Sequence, residues 1–92
     1  MKKQLQFKWS YYAGSITPDD MDYLITDFKK IVKTWFPNST IIRSIECGDH
    51  WESLTLFIPE EDYNDETFNM LEDTILEIFD EFAGSWSFEQ IN

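Results

Sequence analysis

After Arg43 the sequence contains no lysine and no arginine. Residues 44–92 nevertheless hold fourteen acidic side chains. Gripping a nucleic-acid backbone or an anionic membrane surface requires positive charge, so this half of the chain fits neither role. A single cysteine, Cys47, excludes an internal disulfide and a cysteine-based zinc site. No run of eighteen apolar residues is present, which excludes a membrane-spanning helix. Met1-Lys2-Lys3-Gln4 leads into an alternating segment instead of an apolar stretch, so no secretory signal is expected. The expected setting is a cytosol.

Catalytic patterns are equally scarce. The one histidine, His50, lies three residues from Cys47, and nothing near them supplies an orienting group or an oxyanion site. There is no Gly-x-Ser-x-Gly elbow, no Walker A sequence and no GxGxxG. The segment Glu60-Glu61-Asp62-Tyr63-Asn64-Asp65-Glu66 is rich in oxygen ligands but lacks the glycine and terminal glutamate spacing of an EF-hand loop. The expectation is therefore a protein that is not an enzyme, with no cofactor and no dedicated metal site.

What is present is hydrophobic and acidic. The length of 92 residues fits one domain, residues 1–92. Eight Phe, four Trp and four Tyr supply a core and argue against disorder. Lys2, Lys3, Lys8, Lys29, Lys30, Lys33 and Arg43 face only four acids over residues 1–43, which leaves +3 there and −14 over the remainder. Ordinary surfaces intersperse the two signs, and a net charge of −11 costs compact-state stability. A basic protein surface or a cation is the natural partner. Acidity that serves only solubility is the competing account.

The hydrophobic pattern gives the element order. Gln4 to Tyr11 alternates, with Leu5, Phe7, Trp9 and Tyr11 on one face, and reads as a half-buried strand. Thr17 and Pro18 suit the N-cap and first position of a helix. Its apolar face runs through Met21, Leu24, Ile25, Phe28, Ile31, Val32 and Trp35, and Pro37 ends it. Thr40–Cys47 and His50–Ile58 read as strands joined at Gly48-Asp49. Asn64 or Asp65 can cap a second helix running to about Phe82, with Gly84 behind it and a short closing strand at Trp86-Ser87-Phe88. The order β-α-β-β-α-β predicts an α+β, ferredoxin-like fold: an antiparallel sheet with two helices on one face.

Helical spacing places Asp65, Glu66, Glu72, Asp73, Glu77, Asp80 and Glu81 on one side of the second helix. Phe68, Leu71, Ile75, Ile78, Phe79 and Phe82 fall opposite. No lysine relieves the like-charge pairs Asp73/Glu77 and Glu77/Glu81, although i,i+4 ion pairs are the usual solution on an exposed helix. From Asp65 to Glu81 is about 24 Å at roughly 1.5 Å per residue, or about one carboxylate per 3.4 Å. One DNA strand carries a phosphate per roughly 3.4 Å of axis. Glu46, Asp49, Glu52, Glu60, Glu61 and Asp62 flank this strip, and all thirteen acids are candidates to stand in for phosphates against a partner.

The segments Gln6-Phe7-Lys8-Trp9, Ile42-Arg43-Ser44-Ile45-Glu46-Cys47-Gly48-Asp49-His50-Trp51 and Leu71-Glu72-Asp73-Thr74-Ile75-Leu76-Glu77-Ile78-Phe79-Asp80-Glu81-Phe82 carry a resemblance. With the size and charge of the whole chain, they resemble the small DNA-mimic anti-restriction proteins of bacteriophages. The resemblance implies a homodimer in the host cytoplasm. It implies occupation of the DNA site of the restriction endonuclease McrBC, a GTP-dependent enzyme that cuts DNA containing modified cytosine. It assigns no role to an individual residue, and the net-positive first half departs from a uniformly acidic mimic. An acidic inhibitor or immunity protein that blocks another basic nucleic-acid-binding protein or a toxin, without mimicry, fits the same composition.

Overall fold

The computed structural model describes residues 2–10, 18–45, 51–79 and 86–91. Strand β1 spans Lys2–Ser10, helix α1 Pro18–Trp35, β2 Thr40–Ile45, β3 Trp51–Pro59, α2 Thr67–Ile78 and β4 Trp86–Gln90. A short 3-10 turn, Glu60–Asp62, joins β3 to the approach of α2. The four strands form one sheet in the order β2-β3-β1-β4, and every neighbouring pair is antiparallel. This is the ferredoxin-like arrangement that the element order predicts. Thr17, Tyr11, the Gly48-Asp49 turn, Phe82 and Gly84 lie outside the described residues.

Alternation decides which residues reach the core. On β1, Leu5, Phe7 and Trp9 are fully buried, and on β3 so are Leu54, Leu56 and Ile58. The register sets Leu5 opposite Leu56 and Phe7 opposite Leu54. Paired residues share a sheet face, so these side chains form one apolar layer. Phe88 of β4 lies opposite Phe7 and extends it.

The helices cover this layer. Met21, Ile25, Phe28 and Val32 on α1, and Leu71 and Ile75 on α2, are buried at the spacing of one helical face. Aromatic rings knit the layers together. The Phe7 ring lies 5.0 Å from Trp9, 5.0 Å from Phe79 and 5.8 Å from Trp86. Phe28 meets Phe79 edge-on at 5.9 Å, and Phe68 stacks on Phe88 at 4.8 Å. Each such side chain contributes about 1.5–3 kcal/mol through burial.

Trp35 departs from the expected apolar face. It is 42% exposed, and the next residue, Phe36, is buried instead. Trp35 lines a surface groove between α1 and α2 together with Thr74 and Glu77. Phe36 amide donates to the Val32 carbonyl and carries the chain inward before Pro37. Lys33 Nζ then donates to the Ser39 carbonyl and ties the helix end to the start of β2.

Candidate partner-binding surface

The second helix is shorter than its sequence suggests. Asn64 Oδ1 accepts from the Glu66 amide at 2.8 Å, and the Asn64 amide donates to Thr67 Oγ1 at 2.9 Å. These two bonds, with the Thr67 amide on the Asn64 carbonyl at 3.1 Å, close a turn before the helix. Local side-chain bonds of this kind compete with helical ones. The first helical bond runs from the Met70 amide to the Glu66 carbonyl, and Phe79 closes the far end against Ile75. Asp65 therefore precedes α2, and Glu66 is its N-cap, whose carbonyl accepts the first helical bond. Asp80 and Glu81 lie outside the described residues, as do Glu46 and Asp49.

The carboxylate strip changes accordingly. Glu66, Asp73 and Glu77 are exposed, and their spacing sets them within about 40° of arc on one line. Their axial separations are about 10 Å and 6 Å. Their mean spacing is about 8 Å, sparser than the phosphates of a DNA strand. Glu72 is half-buried beside this line. None of the four makes an ion pair among the described residues.

Glu60, Glu61 and Asp62 form the 3-10 turn at the end of β3 and lead into Asp65. Tyr63 anchors this acidic stretch. It packs against the core, and its hydroxyl donates to Gln90 Oε1 of β4 at 2.9 Å. Burial, and next the charge of Asp65, push the Tyr63 hydroxyl above its ordinary pKa. Among the described residues, no three metal-ligating side chains gather into a cluster. The acids lie along a line, an arrangement suited to meeting an extended row of positive charge.

Glu52 does not belong to that line, and this corrects the sequence expectation. It is only 6% exposed. It shares the inward face of β3 with Leu54, Leu56 and Ile58, and its Oε2 accepts from Arg43 Nε at 2.5 Å. Arg43 NH1 also donates to Asp22 on α1. A buried carboxylate needs such a partner, because desolvating an unpaired charge costs several kcal/mol. The bond to Glu52 is the leading influence that holds the Arg43 guanidinium above its ordinary pKa. Partial burial opposes it, and the Asp22 bond reinforces it. The last cation of the sequence is thus spent inside the domain, clamping β2, β3 and α1. Alternation alone carried the signal: Glu52 stands two residues before Leu54.

The face of the sheet turned away from the helices carries little charge. The register puts Gln4, Gln6 and Lys8 of β1 there beside Phe57, Thr55 and Ser53 of β3. Lys2 of β1, Thr40, Ile42 and Ser44 of β2, and Ser87 and Glu89 of β4 lie on the same face. Ile42 is 49% exposed.

No family model matches the chain, and no curated protein does. Solved structures share its fold. The de novo designed protein Ferredog-Diesel aligns with a TM-score of 0.63 at 14% identity, over 97% of this chain and 84% of its own. The de novo designed protein LFR1 1, with ferredoxin fold, aligns with a TM-score of 0.60 at 12% identity, over 100% of this chain and 86% of its own. An amidase of the hydantoinase/carbamoylase family from Burkholderia phymatum aligns at 0.52 and 10% identity, but the match spans only 28% of that protein. At such identities the likeness concerns the fold alone. No described helix is long and apolar enough to cross a membrane.

Proposed function

We propose that this chain is a non-enzymatic DNA mimic that occupies the DNA-binding site of a host restriction endonuclease of the McrBC type and so protects phage DNA. Within the DNA-mimic anti-restriction proteins, the reading takes Arn of the T-even phages as the counterpart that the sequence resemblance suggests. The observation that carries the reading is the line Glu66, Asp73 and Glu77, exposed and without ion pairs among the described residues. The acids of the 3-10 turn continue it. Seven cations are present in the sequence, yet none neutralises this line. Association with a basic cleft is then fast and weakened by salt.

A homodimer in the host cytoplasm belongs to the proposal. Two copies of a chain with net charge −11 repel each other overall, and a face of low charge is where that repulsion is least. The outer sheet face, with exposed Ile42, is the surface where they can meet. A two-fold pair doubles the length of acidic line presented to the partner.

The test is GTP-dependent cleavage of modified DNA by McrBC, titrated with the protein at two salt concentrations. Inhibition relieved by excess DNA and by salt supports the reading. The combined change Glu66→Lys, Asp73→Lys and Glu77→Lys is expected to abolish it while the domain stays folded. Full inhibition by that variant removes the line as the contact.

The sparser in-line spacing favours one rival: an acidic inhibitor that covers another basic nucleic-acid-binding protein or toxin without replacing phosphates one for one. Such an inhibitor binds its target without displacing DNA, so competition separates the two.

A further inference from the structure

The outer surface between α1 and α2 holds a groove of about 310 Å³. Lys30, Ile31, Thr34 and Trp35 line it from α1, and Thr74 and Glu77 from α2. We propose that this groove receives an arginine side chain of the basic partner, stacked on the Trp35 indole and hydrogen-bonded to the Glu77 carboxylate. The inference rests on the basic-partner reading above and adds a chemical preference to it.

Three observations carry it. The Trp35 indole is 42% exposed, whereas Phe28 on the same helix is fully buried. An exposed indole face attracts a cation, and a planar guanidinium best of the common side chains. Glu77 stands on the opposite wall with no ion pair among the described residues, although Lys30 lines the same groove. Its two oxygens therefore remain free to accept the paired N–H groups of a guanidinium. Finally, Glu77 is the last described acid of the exposed line, so the groove adjoins the surface that draws in positive charge.

Lysine satisfies the two walls less well. Its ammonium is a compact, strongly hydrated charge that pairs with Glu77 without stacking flat on the indole. The exposed line reads charge alone, whereas the groove distinguishes arginine from lysine.

The experiment uses nona-arginine and nona-lysine peptides as probes of equal charge. Affinity is measured by calorimetry, and the Trp35 indole N–H is followed by NMR. The expected result is about two- to fivefold tighter binding of the arginine peptide. The Trp35 resonance is expected to move with arginine and to stay put with lysine. Trp35→Ala removes the preference and leaves the lysine-peptide affinity unchanged. Trp35→Leu, which keeps apolar bulk without the aromatic face, gives the same answer should the alanine variant fail to fold. Equal binding of both peptides with Trp35 unmoved overturns the groove and leaves the basic-partner reading standing. Binding of neither peptide overturns that reading, and the groove with it.

Discussion

Arg43→Met is the sharpest probe of the architecture. The substitution keeps most of the apolar stem and removes the guanidinium that bridges Asp22 on α1 and Glu52 on β3. Glu52 is 6% exposed, so the variant removes the cation that faces a carboxylate held inside the domain. Breaking a fully buried pair from one side costs about 3–5 kcal/mol. The Arg43 side chain is 29% exposed, and that solvent screening brings the expected loss to about 2 kcal/mol. Asp22 adds little, because its side chain is 59% exposed. A domain of this size holds about 5–15 kcal/mol in total, so the loss is readily measured by urea denaturation. Adding Glu52→Gln is expected to recover more than half of it, because a neutral amide replaces the buried charge. Asp22→Asn alone is expected to cost under about 0.5 kcal/mol. A loss below about 0.5 kcal/mol for Arg43→Met, or no recovery in the double variant, would refute the claim that burial of Glu52 depends on Arg43.

Other outcomes follow from the same geometry. Phe7→Ala removes the ring that meets Trp9, Phe79 and Trp86, and is expected to cost about 3–5 kcal/mol in thermal or urea unfolding. A loss under about 1 kcal/mol contradicts a core centred on that ring. The raised pKa of Tyr63 means that the folded state holds its proton more tightly than the unfolded chain. Its contribution is complete below the ordinary tyrosine value of 10.0 and is lost as pH rises through the higher folded value. Stability measured from pH 8 to 11 is expected to fall at the alkaline end, and Tyr63→Phe to flatten that fall. Ile42→Asp places a charge on the outer sheet face and is expected to turn a dimer into a monomer in sedimentation equilibrium, with stability unchanged. A dimer that survives the substitution places the interface elsewhere.

Much of the fold is legible in the residues. Strict alternation in Leu5, Phe7 and Trp9 makes a strand and names its buried face, because successive side chains point to opposite sides of a sheet. The series Met21, Ile25, Phe28 and Val32 does the same for α1 at the helical period. Both periods are properties of the backbone and need no knowledge of neighbours. The acidity of residues 44–92 is likewise fixed by composition alone.

Counting acids, by contrast, did not reveal which of them face a partner. Glu52 looks like one more surface carboxylate until the hairpin register brings β2 beside β3 and Arg43 within reach. Asp65 looks helical until Asn64 and Thr67 close the turn that leaves Glu66 as the cap. Trp35 fits the buried period, yet its cover depends on which α2 residues lie across from it, and those are Thr74 and Glu77. Periodicity assigns a side chain to a face of its own element. Only the packing of that element against others decides whether the face meets apolar surface, an opposite charge or water.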